Sequence, residues 1–274
     1  MSVLALSAIA LLLYARGVVV LWRRAGIGAG VSIREVCAFV AASTVLLLAL
    51  VSPLDAIAES LFAAHMVQHE ILMLVVAPLF VLARPLATWT WALPAFARRH
   101  LPAIIAQRAL RVPWRALTSP FGAFFAHALA LWLWHIPRLF NLALGNEAIH
   151  VLQHTSFLVT ALFFWWAMLQ RSSARLRDGA AVLYLFATMM HTGALGALLA
   201  LAPTPWYAAL PQALTEWRLS ALEDQQIGGL IMWVPAGAVY LVAALYIMAR
   251  WLHAAVGDPQ TQAHLSSVPL AAKR

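Results

Sequence analysis

Residues 61–83 read LFAAHMVQHEILMLVVAPLFVLA, a stretch whose polar residues all lie in its first half. At 1.5 Å per residue, about 20 apolar helical residues cross the roughly 30 Å of hydrocarbon in a bilayer. Stretches of similar length and composition occur at about 2–22, 35–52, 119–136, 148–170, 180–202 and 227–249. The sequence therefore predicts an all-α membrane protein, a polytopic bundle of about seven transmembrane helices.

The composition supports a membrane protein with a single domain. Hydrophobic residues make up 64% of the 274 positions and charged residues 10%, whereas soluble domains are about half apolar and a quarter charged. We expect one transmembrane domain over residues 1–256 and a mobile tail over 257–274. The proline-rich and arginine-rich connection 84–118 is expected to lie in the cytoplasmic interface, with one short amphipathic helix near 95–111. The first apolar stretch lacks a charged leader region, so it is expected to remain as a helix.

The basic residues indicate how the bundle is oriented. Of the 18 lysines and arginines, all but Arg138 and Arg218 fall in the odd-numbered connections or at the C-terminal end. By the positive-inside rule these segments are cytoplasmic, which predicts an N-out and C-in topology. The net charge of +8 is then explained by topology and by attraction to anionic lipid head groups, so no nucleic-acid partner is needed.

A pentapeptide that begins and ends with histidine occurs twice, as His65-Met66-Val67-Gln68-His69 and as His150-Val151-Leu152-Gln153-His154. Residues four apart lie on one face of a helix, with Cβ atoms about 5–6 Å apart, so each pair can hold one metal ion or face one cofactor. The intervening glutamines are expected to orient the imidazoles. Because imidazoles are costly to place in hydrocarbon, the two pairs together predict a functional site.

The predicted topology brings further polar side chains to the same depth. Both pairs lie near the extracytoplasmic ends of their helices, His135 ends the fourth helix on that side, and Asp224 begins the seventh there. His191 lies deeper and is a candidate second station. A single membrane histidine often only hydrogen-bonds a neighbouring carbonyl, which is the alternative for His127 and His191. The predicted metal ligands are His65, His69, His150, His154, His135, His191 and Asp224.

The donor types narrow the choice of metal. Cys37 is the only cysteine, so the chain can form no intramolecular disulfide and no thiolate-rich metal site. Imidazole with carboxylate or thioether suits copper, while haem b and zinc are the alternatives. Glu70, beside His69, is either protonated, paired with a cation, or involved in proton movement. His100, His253 and His264 are expected on the cytoplasmic side and solvated.

Several motifs together resemble one family, the multispanning cytochrome c oxidase assembly factors of the bacterial CtaG type. The similar stretches are Ser52–Asp55, Ala64–His69 followed by Ala77-Pro78, Trp134–Pro137, His150–His154 with Phe163–Trp166, His191 with Leu195-Gly196, and Glu223–Gly229 leading to Met232–Pro235. The single-span copper chaperone of the same name relies on cysteines that are absent here. The resemblance implies a membrane factor that matures a haem-copper oxidase, through copper supply to its copper sites.

The sequence-based hypothesis is an assembly factor of the bacterial cytoplasmic (inner) membrane. It would bind copper at an outward-facing histidine cluster and pass it to haem-copper oxidase subunits or exchange it with a periplasmic copper chaperone. Three alternatives use the same residues differently. A haem-binding membrane redox protein would show a Soret band, a metal-dependent membrane enzyme would need an open coordination position, and a plain assembly scaffold would bind no metal.

We expect cysteine labelling to confirm the orientation. In a Cys37→Ser background, single cysteines placed within 84–118 or at the C-terminal end should react with membrane-impermeant reagents only after the cytoplasmic face is exposed. Cysteines within 203–222 should react from outside, because the positive-inside bias places the acidic connections there. Labelling of the C-terminal end from outside would contradict the topology and the predicted depth of the histidines.

Overall fold

The computed structural model describes residues 2–169, 178–207 and 217–256, which contain helices and no strand. In chain order the helices are α1 Ser2–Ala25, α2 Ile33–Val51, α3 Pro53–Ala58, α4 Phe62–Glu70, a π-helical segment Ile71–Val76, α5 Ala77–Ala83, α6 Pro85–Ala92, α7 Ala95–Ile105, α8 Arg108–Leu117, α9 Pro120–Trp134, α10 Pro137–Gly145, α11 Glu147–Leu169, α12 Asp178–Ala200 and α13 Ala221–Val256. The predicted tail 257–274, with His264, lies outside the described residues.

The membrane-spanning helices agree with the predicted bundle. Six helices in the described ranges are long and apolar enough to cross a bilayer. The predicted fourth span is shorter, because α9 has only 15 residues between Pro120 and Trp134. It meets α8 at a bend of 75°, and the two together are a seventh candidate. Large apolar side chains such as Leu12 (71% exposed) and Phe121 (79%) point away from the protein, as expected for surfaces that face lipid.

The connection between residues 84 and 118 contains three helices, α6, α7 and α8, where one was predicted. The prediction of a single helix near 95–111 was therefore wrong. The predicted helix is divided in two at Ala106 and Gln107. The last turn of α7 ends with a hydrogen bond from the N–H of Ala106 to the carbonyl of Pro102, and α8 begins at Arg108. In α8 the arginines 108, 111 and 115 share one face, which suits an interfacial helix.

The third span is interrupted by the π-helical segment Ile71–Val76, which the sequence pattern did not predict. Pro78 follows it and has no N–H to donate to the carbonyl four residues earlier. A wider turn of helix accommodates this local loss of regular hydrogen bonding. The carbonyl of Met73 accepts a hydrogen bond of 2.8 Å from the indole N–H of Trp165, which joins the segment to α11.

The beginnings of α4 and α13 are joined by Asp224. Its carboxylate oxygens accept hydrogen bonds from the backbone N–H groups of Phe62 (2.8 Å) and Ala63 (2.9 Å). The first N–H groups of a helix have no partner within the helix, and Leu61, which precedes α4, offers no side-chain cap. A carboxylate from another helix therefore satisfies the start of α4 and complements its dipole.

The helices α12 and α13 pack closely and approach each other through glycines. A methyl group at Gly196 would lie 2.8 Å from the carbonyl oxygen of Gly229 and 2.8 Å from the backbone nitrogen of Trp233. Small residues at such crossings let two membrane helices approach until their backbones touch. This pair, with the beginning of α4 held against it, forms one wall of the bundle.

We expect Gly196→Ala to destabilise the bundle by about 1–3 kcal/mol, because the added methyl group must push the two backbones apart. The measurement is the thermal unfolding midpoint in detergent. Gly237→Ala, on the partner helix α13, is the matched control, since a methyl group there meets nothing within 4 Å. Equal midpoints for the two variants would contradict the proposed close packing.

Candidate metal centre

The two histidine pairs come together at one end of the bundle, where α4 and α11 both begin. The ring of His65 lies 5.0 Å from that of His150 and 5.4 Å from that of His154, measured between ring centroids. Within each helix the paired rings are 4.3 Å apart. The four imidazoles predicted as core ligands are therefore in mutual contact across two helices.

Three of these histidines are arranged to chelate an ion. His65, His150 and His154 each offer one ring nitrogen, and these nitrogens all lie within 4.8 Å of one another. Metal–nitrogen bonds of about 2.0–2.1 Å would place tetrahedral ligands about 3.3 Å apart, so a small rotation of the rings would close the site. The donor set contains no carboxylate and no sulfur.

His69 and His135 lie next to this group and extend it inward. The ring of His69 is 5.1 Å from that of His154 and 6.3 Å from that of His135. Nδ1 of His135 lies 2.7 Å from the carbonyl oxygen of Leu131. A carbonyl can only accept, so Nδ1 carries the proton and Nε2 keeps its lone pair. This hydrogen bond fixes the tautomer that a metal ligand requires.

Seven ring nitrogens of the cluster are buried without a hydrogen-bond partner. They are Nδ1 and Nε2 of both His65 and His69, and Nε2 of His135, His150 and His154. The Gln153 side chain and the Ala58 carbonyl lie near His65, but neither has hydrogen-bonding geometry. Buried polar groups in proteins nearly always have a hydrogen-bond partner, so a group of ring nitrogens without protein partners is typical of a site that holds an ion or water.

Aromatic side chains surround the cluster and were not singled out by the sequence analysis. Phe140, on the unpredicted helix α10, contacts His65 at 5.3 Å between centroids, and Phe157 contacts His69 at 4.6 Å. The hydroxyl of Tyr207 donates to the backbone carbonyl of His135 at 2.8 Å. Burial raises the pKa of Tyr207, so the hydroxyl stays protonated and remains a donor. These residues pack against His65, His69 and His135.

Two residues from the sequence analysis have other partners in the structure. Asp224, predicted as a ligand, uses both carboxylate oxygens on the backbone at the start of α4. Gln68, expected to orient an imidazole, donates instead to the Ala49 carbonyl and to Asp55, each at 2.8 Å. In both cases the side chain hydrogen-bonds to a polar group of a neighbouring element that would otherwise lack a partner.

The deeper histidines are separate from the cluster. His191 contacts Phe124 at 5.4 Å and lies within electrostatic range of His127, and both of its ring nitrogens are unpaired. Nδ1 of His127 lies 3.2 Å from the hydroxyl of Thr160, whose proton goes to the Ser156 carbonyl. His127 is thus hydrogen-bonded as expected for packing, whereas His191 is not among the three histidines whose ring nitrogens lie within 4.8 Å of one another.

The remaining candidates lie away from the cluster. Glu70 has one carboxylate oxygen without a hydrogen-bond partner and lies within electrostatic range of Tyr240 on α13. Met66 and Met232 pack with Phe140 in the hydrophobic core. His100 and His253 are exposed, as expected.

A comparison with known protein families identifies the family of this chain. The family model described as "Cytochrome c oxidase caa3 assembly factor" matches residues 12–254, which includes every histidine of the cluster and nearly all of the described helices. Searches of curated proteins and of solved structures found no match. The chain therefore belongs to the family of cytochrome c oxidase caa3 assembly factors.

Proposed function

We propose that this assembly factor binds copper at the histidine cluster and supplies it to the oxidase. His65, His150 and His154 would be the ligands, with His69 and His135 as the next positions along the path. The main support for this proposal is the set of seven buried ring nitrogens without hydrogen-bond partners, which come together from three segments of the chain. A cation bound to His65, His150 and His154 would accept one lone pair from each ring and so satisfy three of these nitrogens.

The donor set favours a monovalent ion over a divalent one. The three chelating residues are neutral imidazoles, and the nearby Asp224 is engaged with backbone N–H groups. A buried cation with neutral ligands keeps its full charge, and the cost of transferring an ion from water scales with the square of that charge. A divalent ion would therefore cost about four times as much to bury as a monovalent one. Imidazole donors suit copper and zinc alike, and the lower cost of burying a single charge favours Cu(I) as the form of copper that is carried.

The packing of the rings disfavours the haem alternative. The imidazoles contact one another at centroid distances of 4.3–5.4 Å, and Phe140 and Phe157 pack against His65 and His69. A porphyrin held by two histidines must lie between their rings, and rings in mutual contact leave no such gap. A bare ion fits between them after small rotations.

The direction of supply follows from the topology hypothesis. With the start of α4 and the start of α11 at the extracytoplasmic face of the inner membrane, the cluster opens toward the compartment where a periplasmic chaperone or an oxidase domain would meet it. Imidazole ligands exchange copper with other nitrogen and sulfur sites without a change of fold. The protein would then act as a carrier of copper cargo and would perform no catalytic reaction.

We expect single substitutions of His65, His150 or His154 by alanine to lower Cu(I) affinity by more than about 100-fold, because even residues that only orient a ligand are worth about 10–100-fold. The measurement is copper content and competition with a Cu(I) chelator for purified protein, with zinc and haem assayed in parallel. His100→Ala, on the exposed helix α7, should change nothing.

In the same experiment, Asp224→Asn shows whether Asp224 acts as a metal ligand or as a helix cap. It should lower the unfolding temperature, since the charged acceptor at the start of α4 is lost, while folded protein keeps its copper stoichiometry. Copper content that is unchanged in all three histidine variants would reject the site.

We further expect that deletion of the gene leaves an oxidase poor in copper and inactive, and that excess copper partly restores it by mass action. The measurement is oxidase activity and copper content across a copper titration in parent, deletion and His65→Ala strains, with membrane insertion checked by immunoblot. A defect that ignores copper and tolerates His65→Ala would indicate a scaffold instead. Parental activity of the His65→Ala strain at the lowest copper level would reject copper supply.

A further inference from the structure

A cavity of about 390 Å³ lies directly beside the cluster, between the ends of α1 and α2, the short helix α3 and the start of α11. His150 and His154 line its inner side. Three carboxylates, those of Asp55, Glu59 and Glu147, line it as well. Asp55 and Glu59 are within electrostatic range of His150. The acidic side chains and the imidazoles of the proposed metal site therefore line the same cavity.

The cavity reaches an unsatisfied nitrogen of the cluster. His154 is only 9% exposed, its Nε2 has no hydrogen-bond partner, and its side chain lines the cavity. Glu59 and Glu147 are exposed, at the outer margin of the same cavity. The lining thus changes from anionic and exposed to neutral and buried along a short path.

The volume of this cavity is large enough for a hydrated ion to pass. Water occupies about 30 Å³ per molecule, so a cation with six waters needs roughly 180 Å³. The 390 Å³ cavity accommodates it. A second cavity, which touches His65 beside Asp224 and Tyr207, measures only about 30 Å³ and is too small for a hydrated cation.

We propose that this cavity is the cation entrance of the protein, in which Asp55, Glu59 and Glu147 concentrate hydrated metal cations and deliver them to His150 and His154. The proposal rests on the proposed function and adds the path and the charge selection. Carboxylates at the mouth raise the local cation concentration and the rate of capture. The ion loses its waters as it moves inward to the imidazoles. Because the carboxylates stay outside the ligand group, they accelerate loading and do not retain the ion.

The test is the rate of metal uptake by the full-length protein in detergent, with Ag(I) as a redox-stable monovalent probe for Cu(I). Bound silver is measured by elemental analysis after rapid mixing and quenching with a chelator. In Glu59→Gln/Glu147→Gln the initial rate at low ionic strength should fall about tenfold, the lower end of the range for electrostatic steering. The difference should vanish near 1 M salt, where charges are screened within about 3 Å, and final occupancy should equal that of the parent.

Glu223→Gln is the matched charge control. Glu223 is exposed at the start of α13 and hydrogen-bonded to Ser220, but it does not line the cavity. An equal loss of rate in this control would overturn the proposal in favour of general surface charge. A parental rate in the double variant, or a loss of its final occupancy, would also overturn the entrance. No uptake by the parent protein would overturn the entrance together with the copper-binding function.

A second pair of variants tests the space without changing charge. Val151 lines the cavity, whereas its neighbour Leu152 does not. Val151→Trp should slow silver uptake at both low and high salt, because the indole occupies the path. Leu152→Trp should leave the rate unchanged. Equal rates for these two variants would show that ions enter elsewhere and would overturn the proposal.

Discussion

The contact between Asp224 and the start of α4 determines where the histidine pairs can meet. It joins residues 162 positions apart in the chain and fixes the beginning of α4 against α13. From that fixed start, one and two further turns of helix carry His65 and His69 to the level of His150 and His154. The charged acceptor also offsets the exposed N–H groups that a helix start in low dielectric would otherwise leave unsatisfied. The site therefore depends on a carboxylate that does not belong to it.

The bundle and the core of the site could be predicted because both depend on short-range patterns. Apolar length decides which segments span a membrane, and an i, i+4 spacing places His65 with His69 and His150 with His154 whatever the tertiary structure. Both pairs lie near the ends of their predicted spans on the same side, and in the structure their rings are in contact. The role of Asp224 could not be read in this way, because its partners are backbone groups of a helix far away in sequence, and nothing in the local pattern around Glu223-Asp224 distinguishes a cap from a ligand. The same holds for Gln68, whose partner Asp55 lies on an unpredicted short helix.

The arrangement of charge explains how a cation could be both attracted and held weakly enough to be passed on. Carboxylates lie at the margin and neutral imidazoles lie inside, next to Phe140 and Phe157. A carboxylate inside the cluster would bind a cation more strongly but would also retain it, which is unsuitable for a carrier. Family membership establishes a role in oxidase assembly, and under the proposed copper function the acids would attract the ion that the histidines hold.

The π-helical segment Ile71–Val76 has a consequence for how the site could have arisen. A π-helical turn is equivalent to one residue inserted into an α-helix, and each residue turns the helix by about 100°. The face that α4 presents to α11 is therefore rotated by that angle from the face that a regular helix would present. Without the extra residue, the span would remain apolar and long enough to cross the membrane, but α4 and α5 would be rotated by about 100° relative to each other, and one of them would present a different face to its neighbours. The direction in which two side chains of this span point therefore depends on one inserted residue as well as on which residues they are.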